Sequence, residues 1–247
     1  MKDQLEVGGA VIDDISPDDS IYKSGGAEQY FHWGSEAIKT IERFVTFTGL
    51  HQVDKILDLP SGYGRVIRYL RAHFASAQIH ACDIDPRAVD FCAKTFDAKP
   101  IYSTTDMAAI PLDDGYDLIW CGSLLTHVHA DQWRALLELF ATHLNERGVL
   151  IFTTHGRPNV DRLRVRRNEL GLSEWAVTAV LSDYERCGFG YQNFPGRDGY
   201  GISLSTASWV CDQVQATEGL RLAGYQEGGW GGMQDAVAWV STRRPLR

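Results

Sequence analysis

The chain has 247 residues, 44% of them hydrophobic, which suits one α/β domain with a substantial core and leaves little room for two. Its 24 Lys and Arg stand against 32 Asp and Glu, a net charge of −8, and this argues against nucleic acid as the main partner, because such binders carry a basic surface. Five cysteines without a C-x-x-C pair speak against a disulfide framework or a zinc site. With no apolar leader and no membrane-length apolar run, the expected setting is cytoplasmic, away from the membrane, with reduced thiols.

Residues 1–34 read as an N-terminal arm, acidic over its first 20 residues, with Tyr22, Tyr30, Phe31 and Trp33 near its end. Helical spacing of Ala37, Ile38, Ile41, Phe44 and Val45 predicts a first helix, with Ser35 as its N-cap and Gly49 as its stop. An alternation follows. Lys55–Leu59 reads as a strand, then a turn, then a helix burying Val66, Ile67, Leu70 and Phe74. Gln78–Cys82 is the second strand, and Asp85 caps a helix that has Pro86 at its first position.

Residues 99–103 offer a third strand and Tyr116–Cys121 a fourth. Asp131–Asn145 is an amphipathic helix and Gly148–Thr153 a fifth strand. Strands alternating with helices imply a parallel sheet covered on both faces. The rhythm then breaks over residues 157–204, read as a lid-like substrate insertion with helix-like Asp161–Leu170 and Ser173–Cys187, then an aromatic, Gly-rich segment. Ser205 is a candidate cap for a helix running to Ala216, and Leu220–Gly224 and Asp235–Ser241 read as two last strands.

The most informative segment is the turn after the first strand, Asp58-Leu59-Pro60-Ser61-Gly62-Tyr63-Gly64-Arg65. In an open α/β sheet ligands bind at the carboxyl ends of strands, and glycines there let the backbone approach a ligand closely. Asp83 follows about 20 residues later, the spacing at which an acid reaches a ribose diol. A dinucleotide fingerprint would place a third glycine where Ile67 stands, which counts against a nicotinamide enzyme.

In order, ILDLPSGYGR, HACDIDPRAV, TTDMAAIPL, YDLIWCGSLLTHV and LNERGVLIFTTHG resemble the consecutive motifs of class I S-adenosylmethionine (SAM)-dependent methyltransferases over residues 55–155. WGGMQDAVAWV resembles the final antiparallel strand of such enzymes. The resemblance implies a Rossmann-like, seven-stranded, mostly parallel sheet within residues 35–247, SAM as cofactor and no metal. By position, Asp58 and Gly62 match the residues holding the methionine part, within a turn that includes Pro60, Ser61, Gly64 and Arg65. Asp83 matches the ribose acid, Ile84 the adenine contact, Asp106 the acceptor for the adenine amino group, and Met107 the residue beside the ring. Gly122 and Ser123 match the segment passing the sulfonium. Tyr63 is bulky where many relatives carry a small residue.

Methyl transfer mainly requires alignment of the nucleophile and removal of its proton. His127, His155 and Asp235 stand after the fourth strand, after the fifth and at the start of the last, where such a group belongs. Either histidine can serve as the base or order its loop by hydrogen bonding, and Asp235 can orient a histidine or bind a hydroxyl. Arg157 heads a cluster with Arg162, Arg164, Arg166 and Arg167, which fits either an anionic acceptor or a salt-bridged helix face. Tyr22, Tyr200 and Trp230 complete the substrate candidates. The expected function is methyl transfer from SAM to a small molecule or saccharide at a hydroxyl oxygen. The alternatives are an N-methyltransferase and a non-catalytic SAM-fold binding protein.

Overall fold

The structure, a computed structural model, describes residues 9–113 and 115–242. The first eight residues of the expected arm lie outside the described residues. A long helix, α1 (Ser20–Thr48), precedes the alternating units. It starts fifteen residues before the Ser35 cap expected from sequence: the Asp19 carboxylate accepts from the Ile21 and Tyr22 N–H groups, satisfying two donors of the first turn. Gly26, at φ +71°, breaks the helix without ending it, and Gly49 stops it in the left-handed conformation, as the sequence predicts.

Next come β1 (Lys55–Asp58), α2 (Ile67–His73), β2 (Gln78–Asp83), α3 (Pro86–Phe96) and β3 (Lys99–Tyr102). After a single turn of 3-10 helix, Met107–Ala109, follow β4 (Tyr116–Cys121), α4 (Ala130–His143) and β5 (Leu144–Thr154). The insertion contributes α5 (Arg157–Val165), α6 (Glu174–Cys187), β6 (Phe189–Asn193) and β7 (Gly201–Ser205). The chain closes with α7 (Ala207–Ala216), capped by Thr206 rather than Ser205, then β8 (Leu220–Trp230) and β9 (Gln234–Ser241).

The main sheet has seven strands in the order β3-β2-β1-β4-β5-β9-β8. Strands β1 to β5 pair in parallel, and β9 runs antiparallel between β5 and β8. Strand order reverses between β1 and β4, which puts the ligand-binding crevice of such sheets at their carboxyl ends. Alternate side chains feed two cores. Leu57, Ile119, Leu150, Phe152 and Trp239 pack with Trp133 and Phe140 of α4, while Ile56, Leu118, Trp120, Ile151 and Ala238 pack with Ile38 and Ile41 of α1 and Leu70 of α2. Burial on both faces is why these strands read as near-continuous apolar runs.

The insertion has a third core, in which Val160, Leu163, Val177 and Val180 pack on Ile202 and Leu204. Its β6–β7 hairpin is stitched to the main domain. The Gly201 and Ser203 N–H groups donate to the His127 and Thr126 carbonyls at 2.9 Å each, and the Ser205 N–H donates to the His155 carbonyl at 2.9 Å. Among the described residues no helix is long and apolar enough to cross a membrane.

Candidate active site

Beyond β1 the chain continues along β4, with the Leu59 N–H on the Trp120 carbonyl at 3.0 Å, then turns so that the Ser61 N–H meets the Cys82 carbonyl at 2.9 Å. The two turn glycines do different work. Gly62 has φ +49° and faces open space, so a ligand can lie against its backbone. Gly64, at φ +80°, packs where a Cβ would strike the Phe96 ring and approach the Cys92 sulfur. Tyr63 turns away from the open side: its hydroxyl donates to Asp85 at 3.1 Å and its ring lies 6.1 Å from that of Phe91.

Asp83 ties the turn to β2. One carboxylate oxygen accepts from the Gly62 N–H at 2.8 Å and the other from the Asp85 N–H at 3.0 Å, leaving lone pairs on both oxygens for a diol. Asp85 caps α3 through the Arg87 N–H at 3.1 Å, as the sequence predicts. Asp58, at the end of β1, is 1% exposed, and neither of its carboxylate oxygens has a hydrogen-bond partner. Burial, reinforced by the nearby Asp83 charge and only partly opposed by Arg65, pushes its carboxyl well above the usual range. The Arg65 guanidinium lies 5.5 Å over the Trp230 ring, whose indole N–H donates to the Trp33 carbonyl at 3.0 Å, so β8 is pinned to α1 beside the turn.

Just beyond the end of β2, Ile84 is 57% exposed, so its side chain is open to a ligand. Asp106 is exposed and caps the 3-10 turn through the Ala108 N–H at 3.1 Å, while Met107 leans on the core beside it. Gly122 and Ser123 follow β4, with Ser123 at φ +60°. The sequence candidates Asp58, Gly62, Asp83, Ile84, Asp106, Met107, Gly122 and Ser123 thus lie at or just beyond the carboxyl ends of four adjacent parallel strands.

His127 and His155 come together with their ring centroids 6.1 Å apart. His127 Nδ1 lies 2.7 Å from the Gly201 carbonyl, which can only accept, so Nδ1 carries the proton and Nε2 keeps a lone pair. The His127 ring stacks on Tyr200 at 4.9 Å and 24°, with Phe194 at 5.9 Å. Burial lowers the His127 pKa, against the opposing Gly201 hydrogen bond. His155 is buried with Nδ1 unpartnered, and burial, then the neighbouring His127, pushes its pKa down to about 3. Both imidazoles are neutral at pH 7. Burial raises the Tyr200 pKa, with Arg197 lowering it and the Asp83 charge raising it to a smaller extent.

Other candidates are engaged elsewhere. Asp235 is buried at the start of β9, where it accepts from the Tyr225 hydroxyl and from the Gly228 N–H at 2.8 Å. Arg157 grips Glu227 with two hydrogen bonds, 2.7 and 3.1 Å, and the rest of its cluster also pairs with acids: Arg162 with Glu169, Arg164 with Glu185, Arg166 with Glu169 and Arg167 with Glu174. Tyr22 sits edge-on to Tyr30 at 5.4 Å. Sequence reasoning passed over Arg68, which is fully buried. Its guanidinium donates to the Gly64, Ile12 and Asp14 carbonyls and faces the Tyr30, Phe31 and Phe96 rings, tying residues 12–14 to the turn. An arginine within the apolar helix pattern Val66-Ile67-Arg68-Tyr69-Leu70 was the available signal.

Residues 57–150 match the family model of the methyltransferase domain. No curated protein matches the chain. Among solved structures, it is similar to an S-adenosylmethionine-dependent methyltransferase from Clostridium acetobutylicum, at 14% identity and TM-score 0.59 over 91% of this chain and 96% of that one. It is also similar to SAM-bound CalS10, an amino pentose methyltransferase from Micromonospora echinaspora, at 16% identity and TM-score 0.60 over 93% and 98%. The mitomycin 7-O-methyltransferase matches at 14% identity and TM-score 0.57 over 90% of this chain and 56% of that one. At such identities these likenesses establish the fold, a Rossmann-like seven-stranded sheet with its penultimate position filled by the antiparallel β9. With that match, residues 57–150 carry a methyltransferase domain, set in a fold shared with SAM-dependent methyltransferases.

Proposed function

We propose that this protein transfers the methyl group of SAM to a hydroxyl oxygen of a small-molecule or saccharide acceptor, with His127 as the general base. The observation that carries this reading is the tautomer of His127: its Nδ1 is committed to the Gly201 carbonyl, so Nε2 is a neutral acceptor, beside the aromatic wall of Tyr200 and Phe194. The mitomycin 7-O-methyltransferase and the amino pentose methyltransferase, which share the fold, lend weight to an oxygen acceptor and to a sugar, respectively.

The residues fit the cofactor. The unpartnered Asp58 carboxyl suits an ammonium, the open side of Gly62 admits a ligand, and Asp83 has lone pairs left for two ribose hydroxyls. In this reading Ile84 and Met107 flank the adenine, Asp106 accepts from its amino group, and Gly122 and Ser123 pass the sulfonium. Pro60, Ser61, Gly64 and Arg65 shape the turn. When bound, SAM supplies a methyl group on a sulfonium that a nucleophile displaces in line.

The chain's own residues then align the acceptor and take its proton. His127 Nε2 accepts the hydroxyl proton, and the Gly201 carbonyl steadies the imidazolium that results. Tyr200 fixes the ring plane, and the stitched 157–204 insertion is the acceptor's wall. His155, neutral behind His127, keeps positive charge away from that ring. Tyr22 on Tyr30, Trp230 between Trp33 and Trp120, Arg157 on Glu227 and Asp235 in the β8–β9 turn bear on the acceptor only through the elements they hold.

Incubating the protein with methyl-labelled SAM and a panel of phenols, sugars and amino sugars tests the reading. Label is expected on an oxygen. His127→Ala should lower kcat by about 10²–10⁴-fold with cofactor affinity nearly intact. Label found only on nitrogen, or a His127→Ala enzyme of undiminished rate, would sink it.

A further inference from the structure

We propose that Gln234, the first residue of β9, is a positioning residue that holds Ser123 in the backbone conformation required for cofactor binding. The proposal rests on the reading of the β1–β4 strand ends as the cofactor site. Ser123 has φ +60°, a left-handed conformation that a serine free of restraint populates only a small fraction of the time. Three hydrogen bonds close a ring around it. The Ser123 N–H donates to Thr153 Oγ1 at 2.8 Å, the Thr153 hydroxyl donates to Gln234 Oε1 at 2.6 Å, and Gln234 Nε2 donates back to Ser123 Oγ at 2.7 Å.

Donors and acceptors are consistent around this ring. Thr153 uses its hydroxyl once in each role, and the amide uses one end for each neighbour. A fourth bond, from Thr126 Oγ1 to the Ser123 carbonyl at 2.9 Å, fixes the other side of the residue. Thr126 and Thr153 are fully buried, so water does not compete for these groups. Gln234 therefore joins β9 and β5 to the segment after β4, which lies beside the Asp58 turn in the sheet. The amide needs no contact with the ligand to act this way.

The consequence is a population effect. Without the ring, Ser123 leaves the left-handed region and only a fraction of molecules remain competent, so apparent affinity falls by that fraction. The experiment is calorimetric titration with S-adenosylhomocysteine, whose uncharged sulfur removes the attraction of a sulfonium to any new charge beside it. Gln234→Leu should weaken binding by about tenfold or more, while circular dichroism shows a folded protein. Gln234→Glu should stay within about threefold of the parent, because a carboxylate accepts from Thr153 and from a reoriented Ser123 hydroxyl. Ser123→Gly in the Gln234→Leu background should recover part of the loss, because glycine adopts the left-handed conformation freely.

Should Gln234→Leu fail to fold, Thr153→Val carries the same expectation of weakened binding. Affinity of the leucine variant within twofold of the parent, or a double variant no better than the single one, overturns the proposal. Asp83→Ala separates this from the site itself. Lost binding there with unchanged binding in Gln234→Leu rejects the positioning role alone, whereas a parent protein that does not bind S-adenosylhomocysteine rejects both.

Discussion

A carboxyl group as buried and unpartnered as that of Asp58 holds its proton to a higher pH than an ordinary carboxylate in the free protein, because burial and the Asp83 charge both oppose ionisation. An ammonium placed against it reverses the preference, so cofactor binding should expel a proton from Asp58. Titrations with S-adenosylhomocysteine in buffers of different ionisation enthalpy should show proton release that grows as pH is lowered from neutral, and Asp58→Asn should abolish it. Identical heats in all buffers after correction would mean that Asp58 is ionised before binding or untouched by it. For Asp83, whose carboxylate orders Gly62 and has room for a diol, Asp83→Ala should lower affinity by at least tenfold, since charge-assisted hydrogen bonds contribute about 1.5–3 kcal/mol each. Both acids stand out in the sequence as candidates, because they sit at strand ends around a glycine turn. Gln234 and Thr153 were not legible: their importance comes from a ring closed between strands more than 80 positions apart, and neither residue type signals it locally.

At the scale of elements, the β6–β7 hairpin sets the surroundings of His127. Its backbone supplies the Gly201 acceptor, and just before β7 Tyr200 supplies the stacking ring. Tyr200→Phe keeps the ring and should behave almost as the parent enzyme, whereas Tyr200→Ala should lower kcat/KM by up to about tenfold, since an aromatic pair is worth about 0.5–1.5 kcal/mol. Equal losses in both variants would assign the role to the hydroxyl instead. The alternating strands and helices were readable because the central strands β1, β2, β4 and β5 are buried on both faces over most of their length. The hairpin was not, because Gly190 and Gly201 weaken its local strand signal and its anchoring bonds run to the distant loop after β4. Nor was the start of α1, since Gly25-Gly26 reads as a break, yet the Asp19 cap carries the helix across the kink.

For the whole molecule, the buried histidines set the response to acid. His80, fully buried between the Tyr116 hydroxyl at 2.8 Å and Gln78, has its pKa pushed down to about 4 by burial and then by Lys55 and Lys99, and that of His155 falls to about 3. The unfolded chain takes up these protons near pH 6.5, long before the folded one does. Stability is therefore retained above about pH 6.5 and declines as pH falls from there towards the folded-state values, with the lowered pKa of His127 adding to the effect. Asp58 works in the opposite sense, because its raised pKa favours the folded state as pH falls. Two buried imidazoles outweigh the one offsetting carboxyl, so urea unfolding of the cofactor-free protein should show a net loss of about 1–4 kcal/mol between pH 7 and 5. A flat profile over that interval would mean that the imidazoles accept protons in the folded state. In the same way, the lowered pKa of His127 implies a methyl-transfer rate whose acid-side decline lies at lower pH than that of an ordinary imidazole.

Joining these scales is the claim that the strand-end crevice at Asp58, Gly62 and Asp83 is a site for SAM. Calorimetric titration of the purified protein with S-adenosylhomocysteine and with NAD, repeated on Asp83→Ala, tests it most directly. S-adenosylhomocysteine should bind the parent protein at one site and bind the folded Asp83→Ala variant at least tenfold more weakly, while NAD gives no heat. Tight NAD binding, or S-adenosylhomocysteine affinity that survives Asp83→Ala unchanged, would contradict it.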